Sequence, residues 1–230
     1  MRSRLAVRPR LSLIALCVAG LFASLAAGPD ISAKDSAFPD PLVDNPVAPG
    51  SLPESVVVGG GCFWGVQAVF QHLRGVTSAV SGYSGGSQKN AKYELVSTGN
   101  TGHAESVRVT FDPSQVSFGQ ILKIFFDVAH DPTELNRQGP DEGTQYRSAI
   151  FYAGDNQRKI AEAYVAQLGE AKVFRRRIVT QIVPLDGFYA AEAYHQDYAT
   201  RHPYEPYIMI NDRPKVDALR KRYASVYVER

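Results

Sequence analysis

The apolar positions of this chain switch repeatedly between two periods, and the switches mark its elements. Val56, Val57 and Val58 make a short apolar run that ends in Gly59, Gly60 and Gly61. Val66, Val69, Phe70 and Leu73 then recur at helical spacing, so a helix is expected to open at about Cys62. Residues 77–83 read as a strand closed by the turn Gly85-Gly86, and 105–111 alternate, with Val107, Val109 and Phe111 on one face. Ser117 followed by Gln120 is a capping box that starts a helix through Ile121, Leu122, Ile124 and Phe125. A strand over 146–152, an amphipathic helix over 156–168 and a strand over 178–183 come next, and helical patterns are read near 189–201 and 214–225. Strands and helices in this mixed order predict an α+β fold, a two-layer sandwich with a mixed β-sheet and packed helices.

The N-terminal part belongs to none of these elements. Arg2, Arg4, Arg8 and Arg10 form a positive head, followed by an apolar run over 11–27 with small residues at Ser24, Ala26 and Ala27. That is the composition of a secretory signal peptide over 1–27. The expectation is export across a membrane, to the periplasm in a Gram-negative cell, with an uncleaved membrane anchor as the alternative. Pro29, Pro39, Pro41, Pro46, Pro49 and Pro53 make 28–54 a Pro-rich linker, and the domain is expected over 55–230. Removing the four arginines of the signal takes the formal charge from +2 to −2. With only Arg175–Arg177 left as a basic run, nothing here describes a nucleic-acid surface. It also removes Cys17 and leaves Cys62 as the one cysteine, so no internal disulfide can form.

Cys62 sits where the glycine turn meets the expected helix. Free N–H groups and the positive end of the helix dipole there stabilise a thiolate and would lower the thiol pKa. The alternative is an inert cysteine packed as a small hydrophobe. Phe63 and Trp64, the latter the sole tryptophan, can form an apolar slot for a methyl or thioether group or can be plain core aromatics. Glu105 shares the parity of Val107, Val109 and Phe111, so it is either buried, protonated and able to act as an acid, or a solvated carboxylate at a strand end. Tyr93, Asp141 and Tyr146 lie in polar stretches suited to hydrogen bonding a polarised oxygen. The five histidines are scattered without metal-ligand spacing. A cysteine hydrolase using Cys62 with His103 or His195, a thiol peroxidase, and a non-catalytic module binding thioether side chains are the rival readings.

Six ordered blocks give the chain a resemblance: Gly61-Cys62-Phe63-Trp64-Gly65, Gly82-Tyr83-Ser84-Gly85-Gly86, Thr101-Gly102-His103-Ala104-Glu105, Phe111-Asp112-Pro113, His130-Asp131-Pro132 and Gly143-Thr144-Gln145-Tyr146-Arg147-Ser148. Together they resemble the A-type peptide methionine sulfoxide reductases over residues 55 to 213. The resemblance implies a two-layer α+β sandwich with a ferredoxin-like core, Cys62 as nucleophile and Glu105 as proton donor. It further implies that Phe63 and Trp64 cradle the substrate methyl group, that Tyr93, Asp141 and Tyr146 line the oxygen side, and that His195 supports the site. Reduction of the S epimer of methionine sulfoxide, in oxidised proteins and as the free amino acid, is implied as well. Many family members carry further cysteines near the C-terminus. Here none follows Cys62, so the resemblance implies a one-cysteine cycle in a monomer, resolved by an external thiol, thioredoxin-like or small, without metal or other cofactor.

Overall fold

The computed structural model describes residues 38–47 and 50–230. The expected signal peptide over 1–27 lies outside them, as do 28–37 and 48–49 of the expected linker. The core is built from β1 (Glu54–Gly59), α1 (Phe63–Gln71), β2 (Val76–Ser84), the short α2 (Tyr93–Val96), β3 (Ala104–Phe111) and α3 (Phe118–Ile124). A small hairpin of β4 (Arg137–Gln138) and β5 (Asp141–Glu142) follows, then β6 (Ala149–Tyr152), α4 (Asp155–Glu170), β7 (Gln181–Pro184) and β8 (Phe188–Ala190). The chain ends in α5 (Tyr198–Arg201) and α6 (Arg213–Arg222).

The six-stranded sheet runs β7-β6-β1-β3-β2-β8. Every neighbouring pair is antiparallel except β6 with β7, so the sheet is mixed, as expected. Its middle four strands, joined as β1-α1-β2-β3-α3-β6, have the split β-α-β connectivity of a ferredoxin-like core. This arrangement puts β1 and β3 side by side in the centre, and the ends of both meet the nucleophile. Val56, Val58, Val107 and Val109 turn inward to the main core with Val66, Val69 and Phe70 of α1 and Ile121 and Leu122 of α3. The opposite face carries a smaller cluster of Val57, Ala104, Ala149 and Phe151, backed by Phe188.

The elements read from periodicity are present, including the capping box. The Gln120 amide N–H donates to Ser117 Oγ at 3.1 Å, and the Ser117 amide donates to Gln120 Oε1 at 2.9 Å. One expectation fails at 189–201. Instead of a helix, Phe188–Ala190 forms the edge strand β8, Ala193–His195 a 3₁₀ turn, and only Tyr198–Arg201 is α-helical. Tertiary pairing with β2 overrides the local pattern there, with Tyr83 opposite Tyr189.

Pro-rich linker composition predicts an extended segment that builds no core of its own, and residues 38–47 lie against the domain. The Tyr164 hydroxyl donates to the Pro39 carbonyl at 2.7 Å, and the buried ammonium of Lys123 meets Asp40 at 2.6 Å. Asp44 accepts from the Gly119 amide at 2.8 Å and from the Ser117 hydroxyl, at the N-terminus of α3. The segment supplies carbonyls and carboxylates that neighbouring groups of α3 and α4 need, so docking outweighs the low apolar content.

Candidate active site

β1 delivers the chain into the glycine turn, and Gly61 makes the turn possible. It has φ of +88°, and a Cβ there would fall 2.5 Å from the side chain of Gln138. Cys62 follows as the N-cap of α1, 8% exposed. The sulfur makes no capping hydrogen bond, and the nearby Trp64 amide only favours its charged form. The expected lowering of the thiol pKa does not occur. Burial first, then the carboxyl groups of Glu105 and Asp212, push the Cys62 thiol well above its ordinary value. Desolvation and two acids outweigh one amide N–H and the Lys215 ammonium.

Glu105 occupies the second position of β3, opposite Tyr83, and is 3% exposed. Its Oε2 accepts from the Phe63 amide at 3.1 Å, which ties the end of β3 to the first residue of α1. Burial raises its pKa to about 8 against the pull of that amide, so the group carries a proton at neutral pH. Of the two readings left open by its sequence position, the buried acid is the one present.

Trp64 keeps an exposed face and is fixed on three sides. Its indole N–H donates to His195 Nδ1 at 3.2 Å, it stacks on Tyr198 at 3.8 Å and 10°, and Tyr207 meets it edge-on at 5.9 Å. Phe63 is sealed below, 1% exposed, against Tyr83 and His195, so Trp64 alone of the two aromatics reaches the opening. Tyr93 begins α2, with its ring 4.5 Å from that of His195. Tyr93 and Tyr146 are half-buried, and both feel the charges of Cys62, Glu105 and Asp141. Burial raises both phenols, so they stay hydrogen-bond donors. Asp141, carried by β5, accepts from the Tyr207 hydroxyl. The structure therefore brings Phe63, Trp64, Glu105, Tyr93, Tyr146, Asp141 and His195 to the end of α1 that Cys62 opens, but not His103. Of the two rival histidines, His103 bonds the Gly86 amide and the Ser87 carbonyl, while His195 accepts from Trp64 through Nδ1 and its buried Nε2 has no hydrogen-bond partner among the described residues.

Residues 54–227 match the model of the family described as peptide methionine sulfoxide reductase. The chain belongs to this family. It is 54% identical to the peptide methionine sulfoxide reductase MsrA 2 of Mesorhizobium japonicum, an alignment covering 82% of this chain and 95% of that protein. It resembles in structure methionine sulfoxide reductase A of Corynebacterium diphtheriae, at 40% identity and TM-score 0.58, over 69% of this chain and 79% of that one. Reduced Mxr1 from Saccharomyces cerevisiae is similar at 29% identity and TM-score 0.60, over 71% and 92% of the two chains. As a peptide methionine sulfoxide reductase it is an oxidoreductase of protein repair, returning methionine sulfoxide to methionine.

The reductase site also uses residues that sequence reasoning missed. Tyr198, Tyr207, Asp212 and Lys215 all come from the last quarter of the chain, where the pattern announced only helices and polar surface. Pro203 and Pro206 were the available signal: Pro203 lies just past the end of α5, and Pro206 opens the helical turn that leads into 208–212. Among the described residues no group of histidine, cysteine and acidic side chains has the arrangement of a metal site.

Proposed function

We propose that this reductase acts on the S epimer of methionine sulfoxide, protein-bound and free, with Cys62 as nucleophile and Glu105 as acid. The observation that carries the reading is the Phe63 amide, which joins the two groups. It bonds the protonated Glu105 carboxyl while belonging to the turn that Cys62 caps. The sulfoxide methyl group rests on Trp64, and the oxygen faces Tyr93, Tyr146 and Glu105. Cys62 sulfur attacks the sulfoxide sulfur as Glu105 protonates the oxygen; the hydroxyl then passes to Cys62 as the sulfoxide S–O bond and the transient S–S bond break. Methionine leaves, and Cys62 remains as a sulfenic acid. The thiol proton replaces the one Glu105 gave up.

No cysteine follows Cys62 in the chain, so the sulfenic acid is met by an external thiol. The first thiol forms a mixed disulfide and releases water; a second sulfur, from a thioredoxin-like protein or another small thiol, frees Cys62. The enzyme works as a monomer without a prosthetic group. Its arginine-rich, apolar leader sends it across a membrane, to the periplasm in a Gram-negative cell. The test is stereo-resolved reduction of a methionine sulfoxide peptide with dithiothreitol, comparing the wild type with Cys62→Ser. Consumption of the S epimer alone, abolished by the substitution, is the expected result; turnover by Cys62→Ser would overturn it.

A further inference from the structure

Gly65 is where the helix opened by Cys62 meets the C-terminal segment. A Cβ at this position would lie 2.1 Å from Asp212 Oδ1 and 2.9 Å from Lys215 Nζ, so a carboxylate and an ammonium press directly on the backbone of the first turn. Gly65 is the third residue of the helix whose N-cap is Cys62. The charge pair and the sulfur therefore share one turn of backbone. Asp212 is fully buried; its Oδ1 accepts from Lys215 Nζ at 3.2 Å, and its Oδ2 has no hydrogen-bond partner among the described residues. A buried carboxylate oxygen left in that state is costly and calls for a reason. The reduction step above uses neither residue.

We propose that Asp212 and Lys215 are positioning residues for Cys62, a carboxylate and an ammonium whose balance sets how readily the sulfur releases its proton. The proposal rests on Cys62 being the attacking group. In a chain with no later cysteine, the C-terminal segment acts on the nucleophile through charge instead of through a second sulfur. The fields agree in sign with this arrangement: Asp212 holds the thiol proton on, and Lys215 favours its loss. The other groups facing the sulfur are Glu105 from β3 and the neutral hydroxyls of Tyr93, Tyr146, Tyr198 and Tyr207, with Asp141 beyond Tyr207. Burial raises the pKa of Asp212 itself, and Lys215 opposes that rise. His130 feels the Lys215 charge but is neutral, because burial holds its pKa at about 4.

The experiment is alkylation of Cys62 by iodoacetamide as a function of pH, on the full chain. It is made in a Glu105→Gln background, so that the carboxyl titrating near 8 does not overlie the sulfur. Asp212→Asn is expected to move the profile down by about one pH unit, making alkylation about tenfold faster on the rising limb. Lys215→Met is expected to move it up by a similar amount, about tenfold slower at the same pH. A purely structural role changes access to the sulfur and scales the rate alike at every pH. Unmoved profiles, or shifts in the same direction, overturn the proposal. If Asp212→Asn does not fold, the upward shift in Lys215→Met alone decides. Alkylation consumes no sulfoxide, so a failure of the reductase reading, seen with Cys62→Ser, is distinguishable from a failure here.

Discussion

The indole N–H of Trp64 donates to Nδ1 of His195 across 131 residues of sequence, at 3.2 Å. The bond requires that Nδ1 be unprotonated, and burial lowers the His195 pKa in the direction that keeps it so. His195 is 2% exposed and also touches Phe63 and Tyr93, so it fixes the aromatic wall from behind. Replacing it by Phe keeps a ring and removes the acceptor. A lost hydrogen bond of about 1 kcal/mol corresponds to a fall of roughly fivefold in kcat/KM. The fall is expected mainly in KM, because Trp64 holds the substrate without taking part in proton transfer. Trp64 is the only tryptophan, so its emission reports the change directly. Unaltered emission together with an unaltered KM would remove His195 from the site.

Glu105→Gln separates acid chemistry from the architecture of the site. The glutamine carbonyl can still accept from the Phe63 amide, so the turn should keep its shape. What is lost is the proton that a carboxyl near pKa 8 holds at neutral pH. Single-turnover formation of methionine should slow by about 10²–10⁴-fold, the usual contribution of a general acid. The circular dichroism spectrum and unfolding midpoint should stay close to those of the wild type. A full-rate burst in the variant would show that the oxygen takes its proton from elsewhere.

These two residues show what the sequence could and could not say. The parity of 105–111 offered a buried Glu105 as one of two readings, because alternation along one strand is a local property, but it could not exclude a solvated strand end. The turn-to-helix position of Cys62 was equally local. The sign of its pKa shift was not, since it depends first on burial by the folded chain and then on Glu105 and Asp212, brought near from distant parts of the chain. The same holds for Tyr207, whose bond to Asp141 joins the C-terminal segment to the hairpin of β4 and β5. Strands of two residues leave no periodic trace, so this hairpin was invisible as well. Edge strand β8 was misread because three residues paired to β2 outvoted a helical pattern around them.

The docked segment 38–47 makes a stability prediction. Asp44 serves as a second cap for α3, accepting from the Gly119 amide and the Ser117 hydroxyl. Asp44→Ala should cost about 1–2 kcal/mol, the usual range for a lost capping group. The loss is read from the urea midpoint at unchanged slope, and sulfoxide reduction at low denaturant should be unaffected. A destabilisation within the error of the midpoint would mean that the segment rests on the domain without holding it.

His130 makes the last prediction, about pH. Its ring bonds the Phe125 carbonyl through Nδ1 at 2.9 Å and the Ser148 hydroxyl through Nε2 at 2.7 Å. Ser148 Oγ also lies 2.7 Å from Thr180 Oγ1. The neutral ring fits this chain, donating at Nδ1 and accepting at Nε2. Burial lowers its pKa from 6.5 to about 4, so the unfolded chain takes up a proton first as pH falls. Stability from this residue is complete above 6.5 and is lost through the window down to about 4, a loss of about 3 kcal/mol. Glu105 acts in the opposite sense. Its native pKa of about 8 lies above the ordinary 4.5, so folding gains from its proton as pH falls through that range. The wild-type curve sums the two and can be nearly flat. The informative quantity is therefore the difference in unfolding free energy between wild type and His130→Asn, in which Glu105 cancels. At about pH 7.5 the variant should be clearly less stable, and by about pH 4 the gap should have narrowed by about 3 kcal/mol. A gap that stays constant across that range would show that His130 is not held neutral in the fold.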